Sequence, residues 1–429
     1  MKKAIITLAG LFGFVGMLQA QVYFCNGYSY DKYEIESVED ITFSSDASKV
    51  NICGETYDVS DVDSITFSEP VFPAVDIVYN GTTATVTIPS SMSGVTCSSG
   101  TSSHVVLKST NTSTEYLYRV SGSSTNGSLT ITGSYKLSVE LAGVTLTSGK
   151  GAAIDIECGK RIDVLLKDGT TNTLTDYAGG SQKGAFYTKG HAEFKGNGTL
   201  NVTGLAKHAI CAKEYLLLKA SVGTINVLGA VSDGIHCGKG EKATEHNYFQ
   251  MNGGTLNISG CGSDCIDSDD FGCIKIKGGE LTLDINQADG IGLKADSIFT
   301  MTGGTVNLNV AGAGSEGIRS SYNAYFKNGT VIGNVSAGGA KGIRGKSVTK
   351  ITGTVLNGGN VYFSGATVNL NVSGGLSSDG SACCGIKVDK VLDQSAGDLT
   401  LTVSNNDAYA ITSGTDNWTG GTRNGKTKE

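Results

Sequence analysis

The chain has 429 residues and a formal net charge of −7. It is long enough to bury a large core, and its negative charge argues against nucleic acid or an anionic membrane as a partner. The 11 cysteines have irregular spacings and no C-x-x-C pair beside histidines, which argues against a structural zinc site.

Residues 1–20 predict a secretory signal peptide. Lys2 and Lys3 precede an apolar run that ends at Leu18-Gln19-Ala20. The run is too short to cross a membrane comfortably, and no other long apolar segment follows. The sequence therefore predicts an exported chain, secreted or at the cell surface, with no transmembrane segment. A disulfide between Cys261 and Cys265 and buried free thiols are both compatible with export.

Three segments flank the main repeat. Residues 21–70 contain two similar stretches of 12 residues, 33–44 and 57–68, each of which predicts a strand, an acidic turn and a strand in a small β-rich module. Residues 71–127 are rich in Ser and Thr and predict an N-terminal β cap. Residues 414–429 predict a loose tail or a partial cap.

Residues 128–413 carry an internal repeat. Its first phrase is an acid, a small residue and an isoleucine, as in Asp233-Gly234-Ile235 and Asp289-Gly290-Ile291. A second phrase, such as Thr199-Leu200-Asn201-Val202, keeps a nearly constant offset from it. Successive isoleucines are often 25 residues apart, as from Ile210 to Ile235. The strands alternate with a period of two, so we predict a parallel β-helix with coils of about 25 residues.

Acidic residues recur beside these isoleucines. In a β-helix, equivalent carboxylates on neighbouring coils would lie ~4.8 Å apart and repel each other. A cation between them would remove the repulsion, and Ca²⁺ bonds to oxygen at a distance that suits this spacing. We therefore predict calcium ligands, with a solvated acidic ridge as the alternative. The predicted ligands are Asp233, Asp264, Asp267, Asp269, Asp270, Asp289 and Glu316.

Further along the repeat, basic residues occupy comparable positions. A groove with calcium at one end and cationic side chains at the other suits a polymer that carries carboxylates. Charge complementarity within the stack is the alternative. The predicted ligand-binding residues are His236, Lys294, Arg319, Lys341, Arg344 and Lys387. No catalytic residue is predicted, because no histidine accompanies a recurring Ser or Cys nucleophile. Tyr248, Tyr322, Tyr325 and Tyr362 are either stacking faces for sugars or core residues.

Several phrases resemble a known family. They include Tyr135-Lys-Leu-Ser-Val-Glu-Leu, Lys167-Asp-Gly-Thr-Thr-Asn, Asn197-Gly-Thr-Leu-Asn-Val and Ser232-Asp-Gly-Ile-His. Over residues 127–413 the chain resembles exported bacterial carbohydrate-binding domain-containing proteins. The resemblance implies a right-handed parallel β-helix related to pectate lyases, and binding of calcium and of plant-cell-wall polysaccharides, including acidic ones. Asp233, Asp264 and Asp289 match the recurring acids of that family, whereas Lys341 and Cys384 replace the acid.

The sequence thus favours a secreted or surface, monomeric, calcium-dependent protein that binds an acidic or plant-cell-wall polysaccharide without catalysis. One alternative is a polysaccharide lyase in which calcium acidifies the uronate and Arg319 or Arg344 is the base. A second alternative is a structural adhesin in which glycan binding does not depend on calcium.

Overall fold

The computed structural model describes residues 21–425, apart from residues 39, 54, 239–246, 349, 352–353 and 356–357. The predicted signal peptide, residues 1–20, lies outside the described residues. Within the described part, no helix is long and apolar enough to cross a membrane. The chain divides into two compact units, residues 1–74 and 75–429.

The first unit consists of small antiparallel sheets. Strand β1 pairs with β2 and β6, and β4 pairs with β3 and β5. Its strands are β1 Gln21–Asn26, β2 Ser29–Glu34, β3 Ile41–Phe43, β4 Lys49–Ile52, β5 Glu55–Asp58 and β6 Ser64–Thr66. In each copy of the 12-residue repeat the turn is a short 3-10 helix, Ile35–Ser37 or Val59–Asp61. Val22, Phe24 and Ile52 lie in its small core.

The second unit is built from strands and their connecting turns. Its first strands are β7 Val75–Asn80, β8 Thr83–Thr87, β9 Val95–Cys97, β10 His104–Ser109, β11 Tyr116–Ser124, β12 Ser128–Thr132, β13 Leu137–Thr147, β14 Ile154–Glu157, β15 Arg161–Leu166, β16 Thr171–Thr175, β17 Gly184–Thr188, β18 His191–Lys195, β19 Thr199–Gly204, β20 His208–Ala212, β21 Leu216–Leu218, β22 Thr224–Ala230, β23 Ile235–Cys237, β24 Tyr248–Met251 and β25 Thr255–Ile258. The remaining strands are β26 Ile266–Ser268, β27 Cys273–Ile276, β28 Glu280–Ile285, β29 Ile291–Ala295, β30 Phe299–Val310, β31 Glu316–Ser320, β32 Asn323–Val335, β33 Lys341–Gly345, β34 Lys350–Ile351, β35 Thr354–Val355, β36 Asn360–Val372, β37 Cys384–Val403, β38 Tyr409–Trp418 and β39 Thr422–Asn424.

The all-β class agrees with the prediction, but the predicted right-handed parallel β-helix solenoid is wrong. The main sheet of the second unit closes on itself as a barrel, so its order of hydrogen-bonded strands returns to where it began. Most pairs in it are parallel and join strands that are two or three apart in the chain, such as β14 with β17 and β17 with β20. The repeat specifies which strands are neighbours, but the path by which the sheet closes is a property of the whole chain.

The buried isoleucines of the first phrase align from strand to strand. The aligned residues are Ile210, Ile235, Ile266, Leu293, Ile318, Ile343, Ile386 and Ile411. On β29 the residue that aligns is Leu293 and not the predicted Ile291, which instead pairs with Glu316. This shift of two residues keeps the same side chains on the same face of the strand, because side chains alternate with a period of two. It nevertheless changes by two residues the alignment predicted for every position counted from Ile291.

Two further stacks hold the neighbouring strands in register. In the core, the ring centroid of Phe326 lies 5.1 Å from that of Phe299 and 4.7 Å from that of Phe363. The recurring asparagine of the second phrase forms an amide ladder: Asn257 Nδ2 donates to Asn226 Oδ1 at 2.9 Å, and Asn226 Nδ2 donates to Asn201 Oδ1 at 2.8 Å. No disulfide joins the cysteines of the described residues.

Candidate functional site

One row of side chains concentrates the chemistry of the second unit. Each member directly follows a buried residue of its strand, and each is aligned with the next by parallel pairing. The members of this charged row are Asp155, Tyr187, Cys211, His236, Asp267, Lys294, Arg319, Arg344 and Lys387. Neighbouring strands lie ~4.8 Å apart, so the row is long and narrow. The row contains five of the six predicted ligand-binding residues. The sixth, Lys341, is the first residue of β33.

At β20 and β23 a buried carboxylate lies between two histidines. Asp233 Oδ2 is 3.1 Å from His208 Nδ1 and 3.2 Å from His236 Nδ1, and the two rings stack with centroids 4.4 Å apart. Burial opposes the charge on Asp233, but the hydrogen bonds with both histidines outweigh it and hold the pKa of Asp233 well below its usual range. Burial lowers the pKa of His208. Burial also opposes the charge on His236, yet bonds with Asp233 and Asp267 raise its pKa to about 9. His236 is therefore a cation at neutral pH.

Lys294 is the second cation that lies among these carboxylates. Its Nζ lies 3.0 Å from Asp267 Oδ2 and 3.5 Å from Asp264 Oδ2. Although burial disfavours its charge, these carboxylates raise the pKa of Lys294 to about 12. Burial raises the pKa of Asp264 to about 6 against the opposing effect of Lys294. One oxygen of Asp264 also accepts a hydrogen bond from the backbone N–H of Ile291, at 3.0 Å.

These contacts revise the argument that stacked acids need a bound metal. Asp233, Asp264 and Asp267 do lie together, with one oxygen of each within 4.8 Å of the others. The cations among them, however, are Lys294 and the imidazolium of His236, which belong to the protein itself. Calcium bound between Asp233, Asp264 and the Oδ2 atom of Asp267 would have to displace both, whereas Asp267 Oδ1 has no such partner. The charges of His236 and Lys294 are therefore paired with carboxylates of the protein itself.

The structure does not bring Asp289 into this group. Because Leu293 rather than Ile291 aligns with Ile266, the place predicted for Asp289 is shifted. Asp289 is exposed and has a positive φ of 59° in the turn before β29. Glu316 aligns with Ile291 and contacts arginines, so it also lies apart from the aspartates.

A second group of three carboxylates adjoins the first and shares Asp267 with it. Single oxygens of Asp267, Asp269 and Asp296 are all within 4.8 Å of one another. Burial and a hydrogen bond with Asp269 raise the pKa of Asp296 to about 7. Burial opposes the charge on Asp269, but the same bond, a backbone hydrogen bond at Asp270 and the charges of Lys294 and His236 together lower its pKa. Asp267 Oδ1 is buried and has no hydrogen-bond partner among the described residues. Asp270, also predicted as a ligand, is not part of this group.

Asp296 was missed by the sequence analysis. It follows Lys294 by two residues, as Asp269 follows Asp267, and the pairing of Asp267 with Lys294 therefore places Asp296 beside Asp269. The sequence places Asp296 beside Asp269 only if the register of β29 is already known. Oxygen atoms at these separations match those around a Ca²⁺ ion bonded at 2.3–2.6 Å.

The basic end of the charged row contains one tight ion pair. Arg344 is buried, and its Nη1 lies 2.6 Å from Asp389 Oδ1, while its Nε lies 3.6 Å from Glu316 Oε1. Burial opposes the charge of Asp389, but Arg344 outweighs that effect and lowers the pKa of Asp389. Arg319 also approaches Glu316, at 3.6 Å, and its Nε is buried without a hydrogen-bond partner in the described structure. Arg344 thus has a structural role, whereas Arg319 keeps a donor unused.

Lys341 and Lys387 complete that end. They lie on the paired strands β33 and β37, and among the described residues neither has a carboxylate within 4.0 Å. Burial lowers the pKa of Lys341; Glu316 opposes this effect, and the positive charges of Lys387 and Arg344 reinforce it. Two half-buried ammonium groups that have no carboxylate within 4.0 Å among the described residues are candidates for contact with an anion.

Three of the four predicted tyrosines, Tyr248, Tyr325 and Tyr362, stack on another tyrosine. The rings of Tyr215 and Tyr248 are nearly parallel with centroids 4.6 Å apart, and Lys275 Nζ lies 4.7 Å from the centroid of Tyr248. Tyr325 stacks on Tyr362 in the same manner, at 5.1 Å. Each ring therefore covers a face of its neighbour, which leaves less ring surface for a sugar to stack on.

One family model matches most of the chain. The model of a family described as carbohydrate-binding domain-containing protein matches residues 103–422. No curated protein matches the chain significantly. A solved structure titled as a polysaccharide lyase-like protein from C. thermocellum is 19% identical; the match covers 71% of this chain and 97% of that one, with a TM-score of 0.37. A structural similarity of this size has no bearing on the function of the present chain.

Proposed function

We propose that this chain, which belongs to the family of carbohydrate-binding domain-containing proteins, binds an anionic polysaccharide along the basic end of the charged row. Membership of the family supports a glycan as the ligand. The chemistry of the row supports an acidic glycan, one whose sugars carry carboxylates. The predicted signal peptide in residues 1–20 supports a location outside the cytoplasm, where such polymers are met.

The observation that carries the proposal is the pair Lys341 and Lys387. Both are half-buried, they lie on adjacent strands, and the described structure gives neither a carboxylate partner. Two such cations repel each other, and burial adds to the cost of their charge. A carboxylate from the ligand would relieve both effects.

Calcium belongs to the proposal as a second contact for the same polymer. Asp267, Asp269 and Asp296 are the residues that would hold the ion, because they present three carboxylates, a buried unpaired oxygen and a shared proton that a cation would displace. Bound there, calcium supplies positive charge to a carboxylate of the glycan. Asp267 and Lys387 are four strands apart along the charged row, a separation of ~19 Å at ~4.8 Å per strand. One copy of the protein could therefore contact several sugars of one polysaccharide.

The glycan proposal is tested by calorimetric titration of the intact chain with polygalacturonate. The double variant Lys341→Ala/Lys387→Ala should bind at least ~10-fold more weakly, because it removes both unpaired cations. The matched control is Lys150→Ala/Lys167→Ala, which makes the same charge change at exposed positions away from the row. Equal losses in both double variants would mean that bulk charge, and not this site, governs binding. Unchanged affinity in the first variant would refute the proposal.

The same mixture distinguishes binding from catalysis. A polysaccharide lyase eliminates across the uronate and leaves an unsaturated product that absorbs in the ultraviolet. With polygalacturonate and calcium present, a binding protein leaves the absorbance constant. A steady rise that vanishes in Lys341→Ala/Lys387→Ala would assign this site to a lyase.

Calcium binding is tested with a pair of aspartate variants. The wild-type chain should release heat on calcium addition and gain melting temperature. Asp296→Asn should lose both effects, because it removes one of three carboxylates. Asp289→Asn, at the exposed position that the structure excludes from the group, should keep both. Retention in Asp296→Asn, or loss in Asp289→Asn, would show that the ion is held elsewhere.

A further inference from the structure

The single tryptophan of the chain, Trp418, is the last residue of β38, in the segment predicted as a loose tail or a partial cap. The pairing of β38 with β37 aligns Trp418 with Gln394, which is fully buried and is in turn aligned with Phe363 of the core stack. Trp418 is nevertheless 55% exposed, whereas tryptophan is mostly buried in soluble proteins. Its place in the fold is therefore that of a core residue, but its surface is open to solvent.

The indole of Trp418 is held in one orientation. Its Nε1 donates to the carbonyl oxygen of Gly420 at 3.0 Å, and the guanidinium carbon of Arg423 lies over the ring, 5.3 Å from its centroid. Arg423 is itself fixed, because its Nη1 is 2.7 Å from both carboxylate oxygens of Asp416 and its Nε donates to Gln394 Oε1. An exposed side chain without such contacts would keep its rotational freedom. Trp418 is thus a rigid ring on the surface.

One face of this ring is open. Arg423 covers one face, yet more than half of Trp418 is exposed, so the exposed area includes the opposite face of the indole. This distinguishes Trp418 from Tyr325 and Tyr362, whose rings stack on each other. Among the described residues, no other exposed large apolar side chain lies on β38 or β39. A single ring is too small for a stable protein interface, which buries about 800 Å² on each partner.

The surroundings of the ring restrict the ligand further. Both oxygens of Asp416 pair with Arg423, so this place offers no unpaired cation to a uronate. The side chains of Asn417 and Thr419 beside Trp418 are exposed and can exchange hydrogen bonds with hydroxyl groups. A pyranose ring has an apolar face of C–H groups, which leaves water when it stacks on an aromatic ring, and hydroxyl groups around its edge. An uncharged sugar ring meets all of these conditions.

We propose that Trp418, supported by Arg423, is a stacking platform for a neutral sugar residue. The inference rests on the proposed function for one point only, that the ligand is a saccharide. Lys387 of the charged row aligns with Thr412, which lies on the same strand as Trp418. The two positions on β38 are six residues apart, a span of no more than ~20 Å at ~3.3 Å per residue. A polysaccharide with anionic and neutral sugars could therefore contact both sites.

The test uses the fluorescence of the intact chain, which reports on Trp418 alone because the chain has no other tryptophan. Cellotetraose, xylotetraose and β-1,4-galactotetraose are each titrated separately. At least one should shift the emission maximum to shorter wavelength in a saturable manner, because stacking removes the indole from water.

Calorimetric titration with the same tetrasaccharide then tests the ring by substitution. Trp418→Ala should weaken binding at least ~10-fold, and Trp418→Phe, which keeps an aromatic ring, should weaken it less. Tyr177→Ala is the matched control, since it removes an exposed aromatic side chain in the turn after β16, and it should leave binding unchanged. Circular dichroism and retained polygalacturonate binding establish that the variants are folded.

The outcomes separate this proposal from the proposed function. If none of the three tetrasaccharides shifts the emission, the platform is refuted even where polygalacturonate binds normally, and Trp418 only caps the core. Equal weakening by Trp418→Ala and Tyr177→Ala also overturns it. So does an emission shift that follows protein concentration without sugar, which would assign the ring to a contact between two copies. Failure of polygalacturonate to bind, with the tetrasaccharide shift retained, would refute the anionic site and leave the platform standing.

Discussion

Single charged residues in this chain are stabilised by specific partners instead of by solvent. Asp233 stays ionised because two histidines bond to it. Burial raises the pKa of Asp264 against the opposing charge of Lys294, and burial together with the charge of Glu157 raises the pKa of Asp155. The same residue type therefore has opposite proton affinities within one unit. The surroundings of each aspartate, and not the sequence motif, decide which outcome applies.

Asp155 gives a pH dependence whose sign can be tested. Its pKa in the folded chain, about 6, lies above the ordinary value of 3.8. Protonated Asp155 is therefore favoured by folding, and its contribution is complete below about pH 4 and falls as the pH rises to about 6. Asp155→Asn should remove this decline, worth on the order of 1 kcal/mol after allowance for its partial exposure. Urea unfolding of both proteins between pH 4 and pH 7 measures it, and parallel curves would contradict the assignment.

Arg344 gives a prediction about stability. Replacement by Met leaves Asp389 and Glu316 without their buried partner, so Arg344→Met should lower the free energy of unfolding by about 3–5 kcal/mol. Lys136→Met, which breaks a more exposed pair with Glu115, should cost about 0–1 kcal/mol. Urea unfolding compares them. Similar losses for the two variants would show that Arg344 is not structural.

At this scale the sequence predicts the residue types of the site better than their roles. It identifies Asp267 and Asp269, and also the cations Lys294 and His236. It cannot show that Lys294 lies between the aspartates, because that depends on Leu293, and not Ile291, aligning with Ile266. Asp296 is missed for the same reason.

The strands show which parts of a repeat a sequence can specify. An aliphatic residue that recurs with a nearly constant interval must find an apolar neighbour, so Ile210, Ile235 and Ile266 align as predicted. Closure of the sheet involves all strands at once, and a local pattern carries no information about it. The predicted solenoid failed at that step, while the all-β class did not. The β29 shift has the same origin, since Ile291 and Leu293 are both apolar and lie on the same face.

The phenylalanine stack tests how far the aligned strands depend on the core. Phe326 packs between Phe299 and Phe363 and is fully buried. Phe326→Ala should lower the free energy of unfolding by about 3–5 kcal/mol, because it leaves a cavity in the stack. Tyr325→Ala, on the opposite face of the same strand, should cost distinctly less. Denaturant unfolding decides between them, and a larger loss for Tyr325→Ala would contradict this description of the core.

For the molecule as a whole, the net charge is negative but the charge is not spread evenly. Along the charged row an acidic end at Asp155, a neutralised middle with a carboxylate group beside it, and a cationic end follow one another over strands β14 to β37. A single net charge of −7 conceals this order. The arrangement explains how an acidic protein offers a local site for an acidic polymer.

The most direct measurement is a crystal structure of the chain grown with trigalacturonate and calcium. We expect a sugar carboxylate within hydrogen-bond distance of Lys341 and Lys387, and an ion bonded to Asp267, Asp269 and Asp296. An ordered oligosaccharide bound elsewhere, with those two lysines facing only solvent and the three aspartates holding no ion, would contradict the account.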